Sequence, residues 1–237
     1  AWFDDDTAPT FVWQLHFGEV FEGGGFDIVI ANPPYVRHET ISHYAPLLRE
    51  RYTVAASRAD LLIFFYEQSV NLLRPGGTLT FITSNKYFRA GYGSKLRPFL
   101  TTELTLHSLI DFGDAPVFDA IAYASILIGS KRAAEKGHDI TVCNWLPKAA
   151  LTRLLSVLDD TSFSVAQKSL DPNGWSLEKR DALALLTKLR ANGRSLFDYV
   201  GGKVLYGIKT GFNEAFVVSA ETHTRLITED KTSAELI

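Results

Sequence analysis

The feature that most constrains this chain is a six-residue apolar run, Phe26 to Ala31 (FDIVIA), that runs straight into Asn32-Pro33-Pro34-Tyr35. A short run rich in β-branched residues reads as a strand buried in a parallel sheet. Two successive prolines lack amide hydrogens and have fixed φ, so the strand must stop there and pass into a stiff loop. Downstream, Asp60 to Leu73 is apolar on most faces and is halted by Arg74-Pro75-Gly76-Gly77, which predicts a helix packed on a sheet. Thr78 to Thr83 reads as the next strand, Tyr92 to Leu100 as helix, and Leu104 to Asp111 and Ala122 to Gly129 as strands.

This alternation predicts an α/β fold, part of a doubly wound, Rossmann-like sheet. The short connections between the late strands add an antiparallel edge. Asp139 to Leu146 predicts one more strand, and Leu151 to Leu158 and Glu178 to Leu189 predict helices separated by an Asp171-Pro172-Asn173-Gly174 turn. Beyond Gly201, glycines punctuate short β-like runs at Lys203 to Tyr206 and Ala215 to Ser219. The expected layout is a catalytic-type domain over 1–146, a helical linker over 147–200 and the start of a β-rich module over 201–237.

Composition narrows the function classes. One cysteine, Cys143, excludes an internal disulfide framework and a cysteine-rich zinc site, and the six histidines show no metal-ligand spacing, so no metal is expected. No apolar run reaches the ~20 residues of a membrane helix, and a reducing cytoplasm is the expected location. The net charge of −3 does not advertise nucleic-acid binding, although phosphate contacts need only a local basic face. Lys86, Arg89, Lys95 and Arg97 form such a cluster, which a solvated surface would explain equally well. The chain has no methionine and begins at Ala1-Trp2, which reads as an excised piece of a longer protein.

Asn-Pro-Pro-Tyr is a chemically pointed sequence. An exocyclic aromatic amine is a poor nucleophile because its lone pair is delocalised into the ring. Two rigid acceptors about 3 Å from its hydrogens would push it towards a reactive geometry. Asn32 offers a side-chain oxygen, Pro33 a main-chain carbonyl aimed by the fixed φ, and Tyr35 a face on which a flipped base can stack. In open α/β sheets, ligands gather at the carboxyl ends of strands, where this tetrapeptide falls. A proline-capped turn would have the same four residues.

The resemblance extends well beyond them. FDIVIANPPYVRHE, RADLLIFFYEQSVNLLRPGGTLTFITSNKYFRAGYGSKLRPFL and DFGDAPVFDAIAYASILI together resemble consecutive motifs of gamma-class N6-adenine DNA methyltransferases. The likeness is strongest to TaqI-like enzymes and to type II restriction–modification methylases with a fused specificity domain. It covers Phe11 to Gly129 in order and spacing. The resemblance implies S-adenosylmethionine as methyl donor and double-stranded DNA with a flipped adenine as partner. It also implies that Asn32 and Pro33 bind the amino group, that Tyr35 stacks on the base, and that Pro34 lies against the donor. Phe118 is the expected second base contact, with Tyr123 as fallback, although an ordinary core phenylalanine would look the same. Asp60 either faces the site or simply caps a helix. Asn85 and Lys86 either bind substrate or form a turn. Tyr206 to Val218 resembles the opening of a target-recognition domain.

The family's glycine-rich donor loop is missing and is expected upstream of Ala1, so the fragment alone is expected to be inactive. Gly23-Gly24-Gly25 precedes a strand and reads as a turn. A protein glutamine-N5 or RNA N6-adenine methyltransferase shares the tetrapeptide and is the nearest alternative. A non-catalytic DNA specificity protein is the alternative from another class.

Overall fold

The computed structural model describes residues 11–119, 123–146, 149–202 and 218–231. They divide into two compact units, 1–185 and 186–237. The first opens with two short helices, α1 (Trp13–His16) and α2 (Gly18–Glu22), before strand β1 (Phe26–Ala31). Helices α3 (Ala45–Arg51) and α4 (Leu61–Leu72) lead to β2 (Leu73–Ser84). Helix α5 (Leu96–Glu103) precedes β3 (Thr105–Asp111), β4 (Ala124–Ser130) and β5 (Asp139–Asn144). Helix α6 (Leu154–Thr161) and β6 (Phe163–Ala166) follow, then α7 (Arg180–Asn192).

The six strands form one sheet in the order β1-β2-β4-β3-β5-β6. The pairings make β1, β2, β3 and β5 mutually parallel, with β4 and β6 opposed to them. The expected antiparallel edge exists, but it is β6, a four-residue strand with too little sequence to announce itself. The antiparallel strand that the sequence did announce, β4, is inserted between β2 and β3. Short connections say that strands are antiparallel neighbours without saying which of them lies outermost.

Alternation along the strands builds two cores, one on each face of the sheet. Phe81, Leu109, Leu127 and Val142 face a large cluster with Leu62, Ile63, Tyr66, Leu96 and Leu100 from α4 and α5. Their neighbours Ile82, Ile110, Ile126 and Cys143 face a smaller cluster with Val157 from α6. Helices on both faces make the sheet doubly wound.

Strand β1 departs from expectation. It is parallel, as predicted, but it is a terminal strand of the sheet and only one face is covered. Val29 and Ala31 pack on the large core, whereas Ile28 and Ile30 are 59% and 75% exposed. Gly25 permits the close entry into β1. Its φ is 123°, and a Cβ there would lie 2.6 Å from the Leu72 carbonyl oxygen.

Residues 147–200, expected as a helical linker, include β6 and the buried Trp175 and Leu177, all part of the first unit's core. The second unit holds α8 (Leu196–Tyr199) and α9 (Ala220–Glu229). Ser219 caps α9 by accepting the Thr222 amide, so the stretch expected to open a β-rich module contains a capped helix. Lys203 to Tyr206, all but the last residue of the recognition-domain opening expected over Tyr206 to Val218, and most of Ala215 to Ser219 lie outside the described residues.

Candidate functional site

The parallel strands deliver their carboxyl ends, and β4 its amino end, to one side of the sheet. Asn32 to Tyr35 leave β1, Ser84 to Lys86 leave β2, Asp111 ends β3, and Tyr123 enters β4. Register holds them in reach, with Ala31 beside Phe81, Ser84 beside Ala124, and Asp111 beside Ser125.

A cavity of about 150 Å³ opens among Tyr35, Arg37, Asp60, Leu62, Ser84, Lys86 and Tyr123. Larger cavities lie elsewhere, one of about 280 Å³ between His38 and Phe64 and one of about 410 Å³ around Thr101 and His138. The smaller one is the candidate because residues from four chain segments at the sheet's carboxyl edge converge on it.

The two expected acceptors of the β1 loop differ in exposure, and neither Asn32 nor Pro33 lines this cavity. Asn32 is exposed, and among the described residues its side-chain amide has no hydrogen-bond partner. Pro33 is buried and Pro34 exposed, and the Pro34 carbonyl accepts the Val36 amide at 3.0 Å. Tyr35 is half-covered, its ring edge-on to Phe118 with centroids 6.1 Å apart. Burial raises the Tyr35 pKa above its usual value, so the phenol stays neutral at physiological pH. Phe118 also packs against the smaller core cluster, so it is at once a core residue and the neighbour of Tyr35. Tyr123 borders the same cavity, with the Lys86 Nζ 5.7 Å from its ring centroid.

Asp60 occupies the capping position of α4, yet its carboxylate caps nothing. Its Oδ1 accepts the His38 amide at 3.0 Å, which ties the segment after Tyr35 to the start of α4. The Tyr92 hydroxyl is buried without a well-formed partner, and burial, with the Asp60 charge nearby, drives its pKa up. Asn85 and Lys86 part company. Asn85 Nδ2 donates to Asp111 Oδ1 at 2.7 Å and its amide to the Tyr123 carbonyl at 2.7 Å, so this side chain braces strands, while Ser84 and Lys86 line the cavity. Arg97, grouped with the basic cluster from sequence, is 1% exposed and cannot meet a phosphate.

Sequence reading missed the support beneath the site. The Tyr66 hydroxyl bonds Thr83 Oγ1 at 2.9 Å and donates to the Tyr87 hydroxyl at 3.3 Å, a buried chain under the β2 exit. These tyrosines look like core aromatics in sequence, and only their convergence reveals the polar chain. Among the described residues no cluster of His, Cys, Asp or Glu could hold a metal.

Residues 4–118 match the family model for the Eco57I restriction-modification methylase. This stretch is similar to that family. It spans the β1 loop, the start of α4 and the β2 turn, three of the four segments that line the cavity, and ends at Phe118. The chain is 35% identical over 215 residues to the type II methyltransferase M.PaeR7I of Pseudomonas aeruginosa, covering 84% of this chain and 36% of that protein. It is 31% identical over 212 residues to the type II methyltransferase M.XhoI of Xanthomonas vasicola, covering 83% and 38%. The chain thus spans little more than a third of the length of these two relatives. Among solved structures, the type IIG restriction endonuclease BpuSI aligns with a TM-score of 0.48 at 16% identity, over 72% of this chain and 23% of that one. No described helix is long and apolar enough to cross a membrane.

Proposed function

We propose that the whole protein methylates adenine at N6 in double-stranded DNA, as the modification activity of a restriction–modification system. The observation that carries this reading is the β1 exit, where the exposed, unpartnered Asn32 amide follows the strand and, three residues on, the Tyr35 ring meets Phe118 edge-on at 6.1 Å. The site residues fit a flipped purine. Asn32 Oδ1 and the Pro33 carbonyl accept the two amino hydrogens, which localises the nitrogen lone pair. Tyr35 stacks on the base, a contribution of about 1–3 kcal/mol, and Phe118 borders it from another side. Extruding the base costs a few kcal/mol, which this stacking offsets in part. Lys86 and Arg37 place positive charge at the cavity rim, where the DNA backbone passes.

S-adenosylmethionine, when bound, supplies the electrophilic methyl group. The exposed Pro34, next to the acceptor pair, fits a position against that donor.

The substrate class is tested by offering methyl-labelled donor and full-length protein to mixed-sequence duplex DNA, to RNA and to a glutamine-containing peptide. Label in N6-methyladenine of DNA supports the reading. Label in RNA or peptide would keep the site's chemistry and move the substrate. No transfer to any of them would favour a DNA-binding specificity role.

A further inference from the structure

A fully buried guanidinium lies behind the β2 turn. Arg97 makes no ion pair among the described residues, yet removing its charge from water is costly unless its donors are satisfied. Four main-chain carbonyls satisfy them. Nη1 donates to Tyr87 O at 2.7 Å and to Ala90 O at 2.9 Å. Nε donates to Pro172 O at 2.7 Å and Nη2 to Asn173 O at 3.2 Å.

The two pairs of carbonyls belong to segments far apart in sequence. One is the turn Asn85–Phe88 and its continuation, which carries Lys86 to the cavity. The other leads to Trp175, itself 1% exposed, whose amide donates to Phe88 O at 2.8 Å and whose ring stacks on Phe88 at 5.6 Å. Space is closed around this tie, since a Cβ on Gly93 would collide with the Tyr87 carbonyl and approach Arg97 Nη1 to 2.8 Å. Only a planar fork reaches acceptors on both sides at once, and a lysine ammonium, with all donors on one nitrogen, does not.

We propose that Arg97 is a positioning residue that holds the Lys86 turn at the rim of the acceptor site by tying it to the Pro172–Trp175 segment. The proposal rests on the methyltransferase reading for its kinetic consequence and on geometry alone for the tie. A purely stabilising role would lower the melting temperature without changing turnover per folded molecule. A positioning role acts through Lys86 and leaves a signature in a double-mutant cycle.

The test compares full-length wild type, Arg97→Lys, Lys86→Ala and the double variant in kcat for DNA methylation, donor affinity and hydrogen exchange. Arg97→Lys is expected to lower kcat about 10- to 100-fold, as small misplacements do, with donor affinity unchanged. The double variant is expected to be no slower than the slower single variant. Amides of Tyr87–Ala90 and of Asn173–Trp175 are expected to exchange faster together. Additive losses, or an unchanged kcat, would overturn the proposal. If wild type transfers no methyl group to DNA, the functional reading fails by itself, and exchange decides the tie, unchanged protection in Arg97→Lys overturning it. Should Arg97→Lys fail to fold, Trp175→Phe loosens the far end of the same tie while leaving the buried charge satisfied, and the same cycle with Lys86→Ala applies.

Discussion

β1 and β2 are adjacent parallel strands that end on the same side of the sheet, and their exit loops are made rigid in different ways. The β1 loop is stiffened by its own covalent structure, two prolines in succession, and Asn32, Pro34 and Tyr35 are exposed while Pro33 is buried. The β2 turn has no proline and is held from outside by Asp111, Tyr123, Arg97 and Trp175. A locally stiffened loop can leave its polar groups free for a ligand. A loop held by tertiary contacts commits its polar groups to the fold, as Asn85 does, and keeps only Ser84 and Lys86 for the cavity.

Breaking the β2 side is expected to cost stability first. Trp175→Ala removes a buried ring from the Phe88 stack and should destabilise the protein by about 3–5 kcal/mol, read as a fall in denaturant midpoint. Breaking the β1 side is expected to cost activity with little loss of stability. Tyr35→Ala should lower kcat/KM for DNA by the lost stacking, about 1–3 kcal/mol, while the melting temperature stays near that of wild type. Equal stability losses at the two sites would erase the distinction.

A pH titration sharpens it. Burial, partly opposed by the bonds to Thr83 and Tyr87, pushes the Tyr66 phenol up to about 12, while the unfolded chain ionises near 10.0. Between those values the unfolded state binds fewer protons than the native state, so stability is complete below pH 10 and declines as pH rises towards 12. The loss is at most about 2–3 kcal/mol for this group, and Tyr66→Phe should flatten the decline, measured by denaturation at pH 9 and pH 11.

The same contrast explains what the sequence disclosed. The β1 loop was legible because its rigidity is written in adjacent residues, and α4, β2, β3 and β5 because apolar periodicity survives in a single segment. The β2 turn was half legible. Ser84-Asn85-Lys86 stood out as polar residues after a strand, but that Asn85 would turn to Asp111 depends on a partner in β3, and nothing local encodes it. Arg97 looked like a surface cation because its acceptors are main-chain carbonyls, which carry no sequence signature. The central place of β4 and the brief β6 are likewise properties of sheet order rather than of any one segment. Helix α9 was missed because its polar composition hides a cap that only geometry reveals.

We propose that Asn32 prepares the adenine amine. It is tested most directly by single-turnover methyl transfer to N6 of adenine at saturating DNA and donor, wild type against Asn32→Ala in the full-length protein. A fall of about 100-fold or more is expected, the scale of losing one preorganised group at a reacting centre, with DNA binding and melting temperature nearly unchanged. Transfer at the wild-type rate by the variant would contradict it.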